Sequence, residues 1–158
     1  MKKGIYLYII IAIFTACTGS SDIKEIRNFK GNEWEIAKKE SFTFKVTDTL
    51  KTYNFNYLLR NSISYPYYNI YLSQSLIDPD NKIVSTSVDE IILFNEKTGK
   101  PYGDGLGDIF DNRVAAPKLT NIQLKKAGTY KWVISHNMRP DPLTGIMSLG
   151  IEVLGNKN

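Results

Sequence analysis

From Glu33 onward the apolar positions of this chain fall on every second residue. Phe42-Thr43-Phe44-Lys45-Val46 alternates strictly, and Tyr53, Phe55, Tyr57 and Leu59 alternate with Asn54, Asn56 and Leu58. Ile70, Leu72 and Leu76 share one side, with Tyr71 on the other. Val88 to Phe94 is denser, Ile122 and Leu124 form a short pair, and Tyr130, Trp132, Ile134 and His136 alternate again. Leu149, Ile151 and Val153 close the chain. Successive side chains of a strand point to opposite faces, so alternation over a few residues predicts half-buried strands. Turn chemistry separates them: Asp78-Pro79-Asp80-Asn81, Lys97-Thr98-Gly99-Lys100-Pro101, Ala127-Gly128-Thr129 and Pro140-Asp141-Pro142. No stretch keeps helical apolar spacing over three turns. A turn or two of helix is expected only at Ile23 to Phe29, ahead of the first strand. The expected fold is all-β, a single β-sandwich over residues 32–158. About seven or eight antiparallel strands fit, in immunoglobulin-like or jelly-roll order.

The first residues follow a different rule. Met1-Lys2-Lys3 is a basic opening, and Gly4 to Ala16 is an uncharged, largely apolar run of 13 residues. A helix crossing the hydrocarbon core needs roughly 20 residues. The run suits an export signal and is short for a permanent span. It ends at Phe14-Thr15-Ala16-Cys17, which resembles a bacterial lipobox, with Phe14 standing where Leu is usual. Small residues let a peptidase grip the extended backbone, and the sulfur is the nucleophile that accepts the lipid. A plain secretory leader with an incidental cysteine, or a short anchor helix, are the competing readings. Cys17 is the single cysteine and sits where the motif needs it, which favours lipidation. The organisation expected is a signal peptide over 1–16, a lipidated Cys17 with a tether over 17–31, and the sandwich beyond. Thr18 follows the cysteine; in enterobacteria Asp there favours the inner membrane, so Thr leans toward the outer one.

Lipidation changes the energetics as well as the address. One acyl chain holds only marginally, at about 0.8 kcal/mol per buried CH₂, whereas the two or more chains of a lipoprotein anchor stably. With its only sulfur acylated the chain has no disulfide, so the fold stands on its hydrophobic core. The formal charge of the whole chain is +4. Lys2 and Lys3 leave with the leader, and what remains is too nearly neutral, and too free of basic runs, to suggest nucleic acid.

Candidate chemistry is sparse. His136 is the one histidine, so no His/Cys zinc set can form around it, and no Gly-x-Ser-x-Gly elbow is present. Asp89 and Glu90 are neighbours on a strand and point to opposite faces, which keeps them from acting as a glycosidase pair. Tyr102-Gly103-Asp104-Gly105-Leu106-Gly107-Asp108 has alternate glycines, yet no helix follows to make a dinucleotide loop. It reads either as a glycine-rich turn with positive φ angles, or as part of a calcium site with Asp104, Asp108 and Asp111 as oxygen ligands. Tyr65-Pro66-Tyr67-Tyr68, with Tyr71 nearby, concentrates aromatic surface that serves either packing or recognition. Arg60, Tyr65, Tyr67 and Tyr68 are the candidate partner-binding residues. No catalytic residues, no resident metal and no cofactor are expected.

Several stretches, in order, resemble the GldH family of gliding-motility lipoproteins of Bacteroidetes. They are Asn32-Glu33-Trp34, Phe42 to Asp48, Tyr53 leading to Leu59-Arg60-Asn61, Tyr65 to Asn69, Gly103 to Asp108, Gly128-Thr129-Tyr130, Met138-Arg139, and Gly145-Ile146 before Leu149-Gly150-Ile151. The resemblance implies a non-enzymatic envelope lipoprotein of a gliding-motility or type IX secretion apparatus. Its partners would be the membrane, through the anchor, and other machinery proteins. The alternative is a calcium-assisted carbohydrate-binding surface lipoprotein.

Overall fold

The computed structural model describes residues 23–156. The leader, Cys17 and the residues up to Asp22 lie outside the described residues. Twelve strands form: β1 Ile23–Asn28, β2 Glu33–Trp34, β3 Glu40–Val46, β4 Thr52–Ser62, β5 Asn69–Ile77, β6 Ile83–Ile92, β7 Asp104–Leu106, β8 Ile109–Ala115, β9 Ile122–Gln123, β10 Gly128–His136, β11 Leu143–Thr144 and β12 Ile146–Gly155. Two single turns of 3-10 helix, Lys30–Asn32 and Pro117–Leu119, are the only helical pieces among them. One sheet runs β1-β12-β4-β8-β7, with β9 also on β4. The facing sheet runs β3-β10-β5-β6, and β2 pairs with β11 in a small third sheet. Every strand pairing is antiparallel.

Eight of these strands are six residues or longer. Counted along the chain, the long strands lie in the orders first-eighth-third-sixth and second-seventh-fourth-fifth. That is the jelly-roll arrangement, in which every connection between consecutive long strands crosses from one sheet to the other except the β5–β6 turn, which stays within one sheet. Of the two strand orders the sequence leaves open, the pairings select this one.

The alternating residues do what their spacing predicts. Phe42, Phe44 and Val46 of β3, Tyr53, Phe55, Tyr57 and Leu59 of β4, Tyr130, Trp132 and Ile134 of β10, and Leu149, Ile151 and Val153 of β12 all face the core. Aromatic edges lock the two sheets together. Phe55 meets Trp132 edge-on at 5.2 Å between ring centroids, and Phe44 meets Phe55 at 5.6 Å. Such pairs add about 0.5–1.5 kcal/mol beyond the area they bury. Phe29 stacks on Trp34 at 4.8 Å and covers one end of the core.

Ile23 to Phe29 corrects the helix expectation: Ile23–Asn28 is strand β1, in register with β12 from Ile23 opposite Val153 to Asn28 opposite Ser148. Helical preference in so short a segment is weak. Pairing instead satisfies the open edge of β12. Gly150 lies beside Ile26, where a Cβ would strike the Glu25 carbonyl, so the glycine permits the close approach. From Ile23 on, the expected 17–31 tether is therefore strand and turn.

The free edge at β6 is polar on its inner side. Ser85, Ser87 and Asp89 point toward the core, where Gln74 Nε2 donates to Ser87 Oγ at 2.9 Å and Trp132 Nε1 donates to Gln74 Oε1 at 3.1 Å. Tyr57 Oη donates to Asp89 Oδ2 at 2.7 Å. Inward polar groups on an edge strand discourage another strand from adding to it.

Candidate functional site

The strand register divides the loops between two ends of the sandwich. β1 begins at Ile23, level with Val153 of β12 and Phe55 of β4. This near end also holds the β3–β4 turn, the β5–β6 turn, the Pro117–Leu119 segment and Asn156, whose N–H donates to the Thr52 carbonyl. β4 carries the chain to Ser62, opposite Ile109 of β8, and so to the far end. There the β7–β8 hairpin, the 63–68 loop and the β10–β11 loop gather.

The hairpin is built from the glycines singled out in the sequence. Gly107 has φ +68°, the left-handed geometry a tight turn requires. Gly103 and Gly105 have ordinary φ and are needed for space. A Cβ at Gly103 would lie 2.8 Å from Asn112 Oδ1, and one at Gly105 would collide with the Ile109 carbonyl. The result is Leu106 at the tip, 95% exposed, across the ladder from half-exposed Ile109. Ile63 is also exposed, and its N–H donates to the Asp108 carbonyl at 2.7 Å, tying the neighbouring loop to the hairpin. An apolar knob held this rigidly in solvent is the least economical feature of the surface.

The candidate partner residues are placed unequally. Arg60 is exposed on the outer face of β4 and makes a bidentate pair with Asp111, both contacts at 2.8 Å. The guanidinium hydrogen bonds hold the Asp111 carboxyl below the usual range. Tyr65 is buried, donates its hydroxyl to the Asn69 carbonyl at 3.0 Å and meets Tyr67 edge-on. Burial pushes its phenol up. It braces the loop, whereas Tyr67 and Tyr68 present surface. Tyr67 and Tyr71 also wall an open cavity of about 300 Å³ with Asn137, Met138, Arg139 and Pro140.

Asp104 and Asp108 are exposed, and Asp111 is engaged by Arg60. Among the described residues no three His, Cys, Asp or Glu side chains gather into a possible metal site, so the calcium alternative finds no ligand set there. His136 is buried at the end of β10, edge-on to Trp34 at 5.2 Å. Its Nδ1 accepts the Met138 N–H at 3.3 Å, its Nε2 has no hydrogen-bond partner among the described residues, and burial lowers its pKa. No serine or carboxylate hydrogen-bonds to it, so the ring serves packing. Asp89 points inward and Glu90 outward, as their adjacency requires. Ile63 and Ile109 were not singled out from the sequence: each is one exposed aliphatic in a strand-rich chain, and only the ladder brings them to Leu106.

Comparison with known proteins gives a consistent answer. A family model described as GldH lipoprotein matches residues 22–153. A gliding motility lipoprotein GldH homolog of Christiangramia forsetii (strain DSM 17595 / CGMCC 1.15422 / KT0803) is 24% identical over 161 residues, covering 98% of this chain and 95% of that one. Among solved structures, an arabinose-bound α-L-arabinofuranosidase aligns with a TM-score of 0.34 and 12% identity. The match covers 77% of this chain and 18% of that chain, a likeness too slight to bear on function.

Proposed function

The chain belongs to the GldH lipoprotein family, and from that premise we propose that it is a non-enzymatic component of a gliding-motility or type IX secretion apparatus, docking other machinery proteins through the far end of its sandwich. The family is one of cell-envelope, lipid-anchored proteins linked to gliding motility, and it is not a known enzyme family. In this reading Cys17 carries the lipid, and Thr18 directs the protein to the outer membrane.

The observation that supports docking is the rigid apolar hairpin tip. Leu106, Ile109 and Ile63 stand in solvent at the end opposite Ile23, where the anchor segment joins. At the same end, a separate open cavity walled by Tyr67 and Met138 offers a socket of side-chain size. Aromatic anchors next to an apolar centre are the usual makings of a binding hot spot. Arg60 and Tyr68 border the same end and supply its polar rim.

Gentle detergent extraction of the intact protein from its native envelope, followed by affinity capture and mass spectrometry, tests the reading. Wild type should recover gliding or secretion components, and a Leu106→Asp/Ile109→Asp variant should lose them while keeping its thermal transition. Recovery of no such component, or equal recovery by the variant, overturns it.

A further inference from the structure

Two exposed aliphatic side chains remain unexplained by docking at the far end. Leu50 is 80% exposed in the β3–β4 turn, and Ile83 is 66% exposed where β6 begins. Both belong to the near end. Neither sits in a loose loop. Asp48 Oδ1 accepts the Leu50 N–H at 2.9 Å, Tyr53 Oη donates to the Asp48 carbonyl at 2.7 Å, and Gln123 Nε2 donates to the Thr49 carbonyl at 2.9 Å. The β5–β6 turn is fixed as firmly. Asp78 Oδ1 accepts the N–H groups of Asp80 and Lys82, both at 2.9 Å, Asn81 adopts φ +61°, and Lys126 Nζ clamps Asp78 and Asp80 at 2.5 and 2.6 Å. Two braced turns thus hold apolar side chains in solvent at the same end of the molecule.

The charges around them are one-sided. Asp48 is paired with Lys51, while Asp78 and Asp80 share Lys126, which leaves one carboxylate in surplus. Lys82, Lys118 and Lys125 are exposed and make no ion pair among the described residues. The near end therefore presents Leu50 and Ile83 among five lysines and three aspartates, a surplus of two positive charges.

Chain length decides what meets this surface. From Cys17 to Ile23 is six residues, at most about 20 Å fully extended. β4, which runs between the two ends, has 11 residues and a length of roughly 35 Å at about 3.3 Å each. An anchor at Cys17 therefore holds the near end within about 20 Å of the bilayer, while the hairpin tip lies farther from Ile23 than the tether is long. We infer that the near end of the sandwich is a lipid-contacting surface, with Leu50 and Ile83 dipping into the headgroup region and Lys82, Lys118 and Lys125 meeting anionic headgroups. The inference rests on the anchor reading and adds an orientation to it. The domain stands on the membrane with the Leu106 hairpin pointing away. Each positive charge near an anionic surface strengthens the contact roughly fivefold, so a surplus of two contributes on the order of thirtyfold.

The test uses the full, lipidated protein in vesicles of phosphatidylethanolamine and phosphatidylglycerol carrying a headgroup-region quencher. Because Cys17 is acylated in this reading, Thr49→Cys or Leu106→Cys supplies the one free thiol for a fluorophore. The probe at position 49 should be quenched several-fold more than the probe at 106. The ratio of the two should fall in pure phosphatidylcholine and in a Lys82→Glu/Lys118→Glu/Lys125→Glu variant, where the tether alone holds the near end close. Equal quenching at the two positions, or an unquenched probe at 49 on a protein that floats with the vesicles, overturns the orientation alone. A protein that does not float, or whose Cys17 is unmodified by mass spectrometry, overturns the anchor and this inference with it.

Discussion

Replacing Tyr57 by Phe isolates one buried hydrogen bond that joins the two sheets. The Tyr57 ring is fully buried between β4 and β10, tilted against Trp132 at 5.0 Å, and its hydroxyl donates to Asp89 Oδ2 at 2.7 Å across the sandwich. Burial, and then the Asp89 hydrogen bond, push the phenol far above its usual range, so it remains a donor at every workable pH. Phe preserves the ring and its packing and removes only the oxygen. Asp89, 6% exposed, then keeps a desolvated carboxyl group without its donor. Leaving a buried polar group unpartnered costs about 1–3 kcal/mol. For a domain of this size that is roughly 3–5 °C in Tm per kcal/mol. Asp89→Val orphans the Tyr57 hydroxyl at a similar cost. The double variant leaves neither group stranded and should be more stable than the sum of the two losses by on the order of 1–2 kcal/mol. Urea unfolding of the four proteins closes the cycle. A Tyr57→Phe loss under about 0.5 kcal/mol, or single-variant losses that add within about 0.3–0.5 kcal/mol, would refute the coupling.

Three further outcomes follow from positions already described. His136 has its folded pKa lowered by burial, so above about 6.5 both folded and unfolded forms are neutral and its contribution is full. As pH falls through that value the unfolded chain binds the proton first and stability declines. His136→Gln should flatten the Tm profile between about pH 7 and 5, and superimposable profiles would contradict this. Gly105→Ala places a Cβ against the Ile109 carbonyl. It should open the β7–β8 hairpin, seen as faster amide exchange at Ile109 and Asp111, whose backbone groups face β7, with unchanged protection in β10; unchanged exchange in the hairpin would be the contrary result. Arg60→Ala removes an exposed ion pair and should cost at most about 1 kcal/mol, so a larger loss in urea unfolding would show that the pair supports the sheet.

Sequence alone reached the sandwich because its interior strands are buried on one face and wet on the other. Phe42-Thr43-Phe44 and Tyr53-Asn54-Phe55 carry that asymmetry residue by residue. β1 escaped because it is an edge strand with little of its surface buried. Of its six residues only Ile23 and Glu25 are even partly covered, so nothing in Ile23–Asn28 records a period of two. Strand order was illegible for a related reason: alternation states which face is inside and says nothing of which strand lies alongside. At the far end, Arg60, Tyr67 and Tyr68 were visible as residue types, but Tyr65 differs from its neighbours only through the Asn69 carbonyl that takes its hydroxyl. Leu50 and Ile83 are more than thirty positions apart and come to one end only because β3 and β5 both finish there.

β1 is the strand that continues into the anchor segment, and its direction determines how the molecule bears force. A pull entering at Ile23 and resisted at Leu106 crosses the sheet from β1 at one edge to β7 at the other, with a component along β1. The six residue pairs between β1 and β12 then share the load in shear, all straining together. The same pull between Ile23 and Gly155 would act at one end of the pairing and peel it open pair by pair. The jelly roll is thus strong along its length and weak to being unzipped, a directional toughness suited to a part held by its lipid and tugged at its tip.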